Sequence, residues 1–139
     1  MAVRVAINGF GRIGRLTLRA ALESGRRDIE FVALNDLGSA DANAHLFKYD
    51  SIHGTFPGAV RTTKKSIRIG NRSIAVLSET DPAKLPWKDL GIDVALECTG
   101  IFRTKEAASA HLAAGAKRVL VSAPCSDADL TVVYGVNDD

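Results

Sequence analysis

Apolar residues arrive in short runs punctuated by glycine, and the period of each run predicts an element. Val3 to Asn8 runs largely apolar and stops at a glycine cluster, as a buried strand does. Ile13, Leu16 and Ala20 then recur at helical spacing until Gly25, which predicts a helix. A second apolar run, Ile29 to Asn35, ends at Asp36 and Gly38, and Ser39 can cap a helix through about Lys48. These elements make one βαβ unit. Tyr49 to Gly58 is rich in turn residues. Beyond it Val60 to Thr63, Ser66 to Ile69 and Ser73 to Leu77 read as short strands around Gly70-Asn71, a small antiparallel insertion.

Asp81-Pro82 is a helix start, because the carboxylate can cap and proline loses nothing at the first helical position; Pro86 keeps that helix short. Val94 to Glu97 predicts a buried strand, Lys105 to Ala114 a helix closed by Gly115, and Arg118 to Ser122 a strand ending at Pro124. The second half thus repeats the βαβ plan. Thr131 to Tyr134 reads as a last strand. Gly135-Val136-Asn137-Asp138-Asp139 then follows with no terminating element, so the chain reads as interrupted in mid-protein.

Composition narrows this pattern to one class. The chain has 139 residues, enough for one core and too few for two ordinary domains, so a single domain over residues 1–139 is expected. Apolar residues make up 46% and aromatics only 6%, which suits aliphatic strands buried between helices. No apolar run approaches the roughly twenty residues that cross a bilayer, and the amino terminus reads as a strand instead of a leader, so a soluble, unprocessed, cytoplasmic protein with no membrane partner is expected. Cys98 and Cys125 lie far apart with no zinc spacing, and His45, His53 and His111 show no ligand pattern, so no metal is expected. Asp127, Asp129, Asp138 and Asp139 read as a solvated loop and tail. A net charge of +2 is too small to argue for nucleic acid; Arg12, Arg15, Arg19, Arg26 and Arg27 read as a solvated helix face.

The chemistry starts at Gly9-Phe10-Gly11-Arg12-Ile13-Gly14, a G-x-G-x-x-G between the first strand and the first helix. In that setting the first glycine permits a tight turn, the second lets a pyrophosphate approach the backbone, and the third lets helix and strand pack closely. The helix N-terminus then offers free N–H groups and a positive dipole end to the phosphates. Asp36 follows the second strand at the distance where dinucleotide folds place an acid against the adenosine ribose. A carboxylate there accepts from both ribose hydroxyls and repels a 2′-phosphate, which favours NAD over NADP. Taken singly, Asn35-Asp36 are ordinary turn residues; joined to the glycine motif they indicate an α/β fold of the Rossmann type, a doubly wound parallel sheet with a small antiparallel strand insertion. Cys98-Thr99-Gly100 and Ser122-Ala123-Pro124 stand at strand ends that border the crevice in such a sheet, and each equally fits an ordinary strand end.

Together these residues resemble glyceraldehyde-3-phosphate dehydrogenases. The likeness runs from Val5-Ala6-Ile7-Asn8-Gly9-Phe10-Gly11-Arg12-Ile13-Gly14-Arg15 through Asn35-Asp36, Tyr49-Asp50-Ser51-Ile52-His53-Gly54, Asp81-Pro82 with Pro86-Trp87, and Glu97-Cys98-Thr99-Gly100-Ile101-Phe102. It continues through His111-Leu112-Ala113-Ala114-Gly115-Ala116-Lys117, Ser122-Ala123-Pro124 and Gly135-Val136-Asn137, all in the family's order. The resemblance implies a glycolytic NAD-binding domain whose cofactor-binding residues include Asn8, Gly9, Phe10, Gly11, Gly14 and Asn35, with Arg12 and Ile13 touching the pyrophosphate and Asp36 as the ribose acid. Thr99, Gly100 and Phe102 would wall the adenine and ribose pocket, and Ser122 would stand near the nicotinamide ribose. Thr80 occupies a place where the family usually shows arginine or lysine beside the adenine, so a cationic side chain is lost there.

The family's nucleophilic cysteine, in a Ser-Asn-Ala-Ser-Cys-Thr-Thr-Asn motif soon after Gly-Val-Asn, is absent from this sequence, as are its histidine and substrate-phosphate arginines. No catalytic residue is therefore assigned, and the chain alone is expected to be inactive. Glyceraldehyde 3-phosphate and phosphate would be partners of the complete enzyme only, a homotetramer in the family, and the chain is expected to form a homo-oligomer. Cys98 and Cys125 lie outside the cysteine motif and read as small buried or strand-end residues. The nearest rival within the enzyme class is the cofactor domain of an erythrose-4-phosphate dehydrogenase. From another class, a stand-alone nucleotide-binding module, or an RNA-binding one using the arginine-rich helix, stays open.

Overall fold

The computed structural model describes the whole chain, Met1–Asp139. A seven-stranded sheet organises it. In chain order the elements are β1 (Val3–Asn8), α1 (Arg12–Glu23), β2 (Ile29–Asn35), α2 (Ala40–Lys48), β3 (Tyr49–Asp50), β4 (Gly54–Thr55), β5 (Val60–Thr63), β6 (Ser66–Ile69) and β7 (Arg72–Leu77). A single 3-10 turn at Pro82–Lys84 follows, then β8 (Val94–Glu97), α3 (Lys105–Ala108), α4 (Ala110–Ala113) and β9 (Arg118–Val121). The sheet order is β5-β6-β7-β2-β1-β8-β9. Strands β7, β2, β1, β8 and β9 run parallel, and β5 and β6 extend the sheet antiparallel from β7. The expected insertion is therefore an extension of the main sheet. The turn-rich segment after α2 also contains a separate two-stranded ribbon, β3 with β4.

Two apolar layers hold the sheet. On one face Val5, Ile7, Phe31, Leu34, Ile67, Ile69 and Ile74 pack with Leu18 of α1 and Ala44 and Phe47 of α2. On the other, alanine pairs with alanine across three neighbouring contacts: Ala75 with Ala33, Ala33 with Ala6, and Ala6 with Ala95. That row of methyl groups lets bulky residues approach the sheet, and Trp87, fully buried, packs there with Leu85 and Ile92.

Ile13, Leu16 and Ala20, whose spacing predicts α1, are not its buried residues, and Leu16 is half-buried. Ile13 is 55% exposed and Ala20 is exposed, whereas Gly14 and Leu18 are buried and Ala21 and Leu22 pack against the core. Gly14 sets this register. A Cβ on it would lie 2.2 Å from the Gly9 carbonyl oxygen and 3.1 Å from Ile7 Cγ2, so only glycine lets the helix lie so close.

Two further expectations need correction. The helix expected over Lys105 to Ala114 is broken into α3 and α4 at Ser109, whose hydroxyl donates back to the Lys105 carbonyl at 2.6 Å, a bond that competes with the helical ladder. Thr131 to Tyr134 forms no strand, because it pairs with nothing. Past Pro124 the chain bonds beside α3, through Ser126 with Arg103 and Lys105. The tail then closes on itself, with Asn137 accepting from the Val133 N–H at 2.7 Å and donating to the Thr131 carbonyl at 2.9 Å.

The contact under α1 predicts a sharp effect. Gly14→Ala should destabilise the fold by about 1–3 kcal/mol through overpacking against backbone, measured by urea denaturation. Wild-type stability would show that the helix can lift without cost.

Candidate cofactor-binding site

The strand order reverses between β1 and β8, so the carboxyl ends of β2, β1, β8 and β9 surround one crevice. The glycine turn forms its floor. Gly9 has φ +91°, and a Cβ there would meet the Thr99 nitrogen at 2.7 Å and the Cys98 carbonyl carbon at 2.8 Å. Gly11 behaves in the opposite way: no atom lies within 4 Å of where its Cβ would be. The turn is thus closed against protein at Gly9 and Gly14 and bare toward solvent at Gly11. Gly11 caps the 12-residue α1 with no side-chain cap bond and no acid in the first turn, which leaves the leading N–H groups and dipole for an anion. Exposed Arg12 stands beside them, 3.3 Å from the Asp50 carboxylate.

Asp36 follows directly. One carboxylate oxygen accepts from the Phe10 N–H at 3.0 Å and the other from the Gly38 N–H at 2.9 Å, so the acid ties the turn after β2 to the glycine turn. Thr80, Gly100 and Ser122 are exposed, and Thr99 and Phe102 are half-buried, around the same end of the sheet. Asn8 and Asn35 lie behind this wall, buried, with their side chains turned to each other: Asn35 Nδ2 donates to Asn8 Oδ1 at 2.8 Å.

Behind them lies a polar cluster that the sequence reading did not assemble. Glu97 is 1% exposed and accepts from Asn8 Nδ2 at 2.9 Å and from the Thr99 hydroxyl at 3.0 Å. His111, fully buried on α4, accepts at Nδ1 from the Trp87 indole N–H at 2.9 Å and presents Nε2 to Glu97 at 3.7 Å. Asn35 also holds the Glu79 backbone at both its N–H and its carbonyl, each at 2.8 Å. The available signal was Glu97 itself: it shares the buried side of β8 with Ala95 and ends an otherwise apolar run.

The early arginines are not a uniform solvated face. Arg19 is buried; it donates to the Gly54 carbonyl at 2.7 Å and the His53 carbonyl at 2.9 Å, and it pairs with Glu23, fastening α1 to the β3–β4 ribbon. Arg26 pairs with Asp28. Burial pushes the Cys98 thiol above its ordinary range, and the Cys125 sulfur donates to the Ser126 carbonyl at 3.8 Å. Among these residues no group of three or more His, Cys, Asp or Glu side chains could hold a metal ion.

The sequence model described as glyceraldehyde 3-phosphate dehydrogenase, NAD binding domain, matches residues 3–105. The chain belongs to the glyceraldehyde-3-phosphate dehydrogenase family. Its fold is that family's NAD-binding domain, and the matched span holds the glycine turn, Asp36 and the Thr99–Phe102 wall. A glyceraldehyde-3-phosphate dehydrogenase of Xanthobacter flavus is 63% identical over 139 residues, covering 100% of this chain and 42% of the relative. That of Cereibacter sphaeroides is 61% identical over 137 residues, covering 99% of this chain and 40% of the relative. That of Thermotoga maritima is 54% identical over 136 residues, covering 98% and 41%. The chain thus spans about two-fifths of the length of these dehydrogenases. No helix is long and apolar enough to cross a membrane.

The loop that meets Arg12 in this dehydrogenase domain carries a pH signature. The backbone N–H groups of His53 and Ile52, and then Arg12, hold the Asp50 carboxyl at about 2, below its ordinary 3.8. A depressed carboxyl stabilises the fold above its ordinary value and loses that contribution as pH falls toward the folded value. The stability difference between wild type and Asp50→Asn should therefore be constant above about pH 5 and shrink between about pH 4 and pH 2. Paired urea titrations across that range measure it, and a pH-independent difference would contradict the assignment.

Proposed function

We propose that the protein is the cofactor half of a phosphorylating, NAD-dependent glyceraldehyde-3-phosphate dehydrogenase of glycolysis. Gly11 carries this reading: at the uncapped N-terminus of α1 it leaves backbone bare to solvent, beside the Asp36 carboxylate. In this reading the pyrophosphate lies along Phe10 to Ile13, and Asp36 receives the adenosine ribose hydroxyls. Thr80, Thr99, Gly100 and Phe102 border the adenine side, and Ser122 stands toward the nicotinamide. Asn8 and Asn35 support this wall from behind. NAD, when bound, supplies the hydride acceptor; the residues of this chain bind and orient it.

The thiol that would attack the aldehyde, its histidine and the sites for glyceraldehyde 3-phosphate and phosphate belong, in this reading, to sequence that the relatives carry and this chain does not. The 139 residues act as one domain of a cytoplasmic homotetramer and are inactive alone. Two features support inactivity: the Cys98 thiol is pushed up by burial, and the only buried histidine is engaged with Trp87.

Calorimetric titration of the folded chain should show saturable binding of NAD and weaker binding of NADP. Asp36→Ala should weaken NAD by roughly tenfold to a hundredfold, since bonds to a charged group contribute about 1.5–3 kcal/mol, and should bring the two cofactors close to parity. Gly11→Ala should cost the fold no more than about 1 kcal/mol yet weaken NAD strongly. No NAD binding at millimolar concentration by folded wild type would defeat the reading.

The purified chain should form no NADH from glyceraldehyde 3-phosphate, NAD and phosphate. Activity that disappears on Cys98→Ser or Cys125→Ser would show that one of these thiols is the nucleophile and overturn the reading.

A further inference from the structure

Glu97 ends β8 in full burial, where neither sheet formation nor a cofactor contact calls for an acid. The direction of every bond around it follows from groups that can only donate. The Glu79 backbone N–H donates to Asn35 Oδ1 at 2.8 Å, so the Asn35 amide nitrogen must point to the Glu79 carbonyl and to Asn8 Oδ1. Asn8 is then left with its amide nitrogen toward Glu97, 2.9 and 3.1 Å from the two oxygens. From the opposite side, the Trp87 indole N–H donates to His111 Nδ1, so neutral imidazole carries its proton on Nε2, the atom facing Glu97. Thr99 accepts the Ile101 N–H at 3.1 Å and turns its own proton to Glu97. Donors from β1 and from the turn after β8 thus converge on one side chain, with His111 Nε2 3.7 Å from Glu97 and 3.5 Å from Asn8 Nδ2, so that side chain must accept from both Asn8 and Thr99.

We propose that Glu97 is a positioning residue for the dinucleotide, acting through Asn8 and Thr99 to fix the separation of the glycine turn from the Thr99–Ile101 turn. The inference rests on the cofactor reading above. The two turns touch at Gly9, where a Cβ would lie 2.7 Å from the Thr99 nitrogen, so a shift at the end of β1 or β8 displaces both cofactor-facing surfaces together. The same chain reaches Glu79, next to Thr80, and so ties the outer lip of the crevice to its floor. Binding constellations need their backing held to within about half an ångström, and Glu97 supplies that backing here.

Glutamine at 97 would turn an amide nitrogen toward a donor. The test is NAD titration by calorimetry alongside thermal melting, on wild type, Glu97→Gln and the exchange Asn8→Asp with Glu97→Gln. In the exchange a carboxylate at 8 still accepts from Asn35 and also accepts from the new amide at 97, while the amide oxygen at 97 accepts from Thr99. The single variant, folded, should bind NAD roughly tenfold more weakly, and the exchange should recover to within about threefold of wild type. A role confined to stability would lower the melting temperature and leave the affinity of the folded protein unchanged. A folded Glu97→Gln with wild-type affinity, or a folded exchange variant that stays weak, therefore overturns the proposal. Should Glu97→Gln not fold, Thr99→Val and Thr99→Ser decide: Val should lose roughly fivefold and Ser, which keeps the hydroxyl, less than about twofold. Equal affinities for that pair would also overturn it. Absence of NAD binding by folded wild type defeats the cofactor reading itself, an outcome separate from all of these.

Discussion

At Gly9 and Gly14 three pieces of main chain come closer together than any side chain permits. The turn after β1 lies against the backbone of Cys98 and Thr99, and α1 lies over the Gly9 carbonyl. This contact sets the direction of α1, and with it the placement of the uncapped helix end beside the ends of the parallel strands. It also sets the buried face of the helix, since Gly14 must point inward and Leu18, Ala21 and Leu22 follow it. Arg19, inward on the same helix, then reaches the carbonyls of His53 and Gly54 and fixes the ribbon that brings Asp50 to Arg12.

The opposite face of the sheet repeats the theme of small residues with a distant consequence. Alanines side by side on β7, β2, β1 and β8 leave depth for Trp87, and the indole N–H of Trp87 fixes the proton position of His111. Asn8 donates to Glu97 and His111 Nε2 stands 3.7 Å from it, so the packing of one face and the polarity of the crevice wall meet at a single carboxyl group. Buried polar groups satisfied in this way are stiff, because each lost partner leaves a donor without water to replace it.

Much of this was legible in the sequence because it is local. The strands from Val3, Ile29 and Val94, the Ser39 cap and the turn at Gly70-Asn71 depend on neighbours in the chain, and they stand where the pattern put them. The glycine motif and Asp36 were legible because their spacing encodes one turn and one strand length. What escaped was set by contacts across long sequence separations. Apolar spacing located α1 through Ile13, Leu16 and Ala20 without marking its inner face, which the Gly9–Gly14 contact decides. Thr131 to Tyr134 has the composition of a strand but lies beyond Pro124, on a path that leaves the sheet. Asn8, Asn35, Glu97 and His111 look like unrelated polar residues until the parallel pairing of β1 with β2 and β8 brings them together.

In the proposed function an anion lies at the bare glycine turn and a ribose at the end of β2, and amide chemical shifts of the isotopically labelled chain during a titration with NAD read both positions at once. The largest changes should fall on the N–H groups of Phe10 to Ile13, on Gly38 and on Thr99 to Phe102, with little change at the other end of the sheet. There a cavity of about 390 Å³ is lined by Arg27, Ile29 and Arg72 among others. Shifts concentrated around that cavity, with the glycine turn silent, would contradict the account.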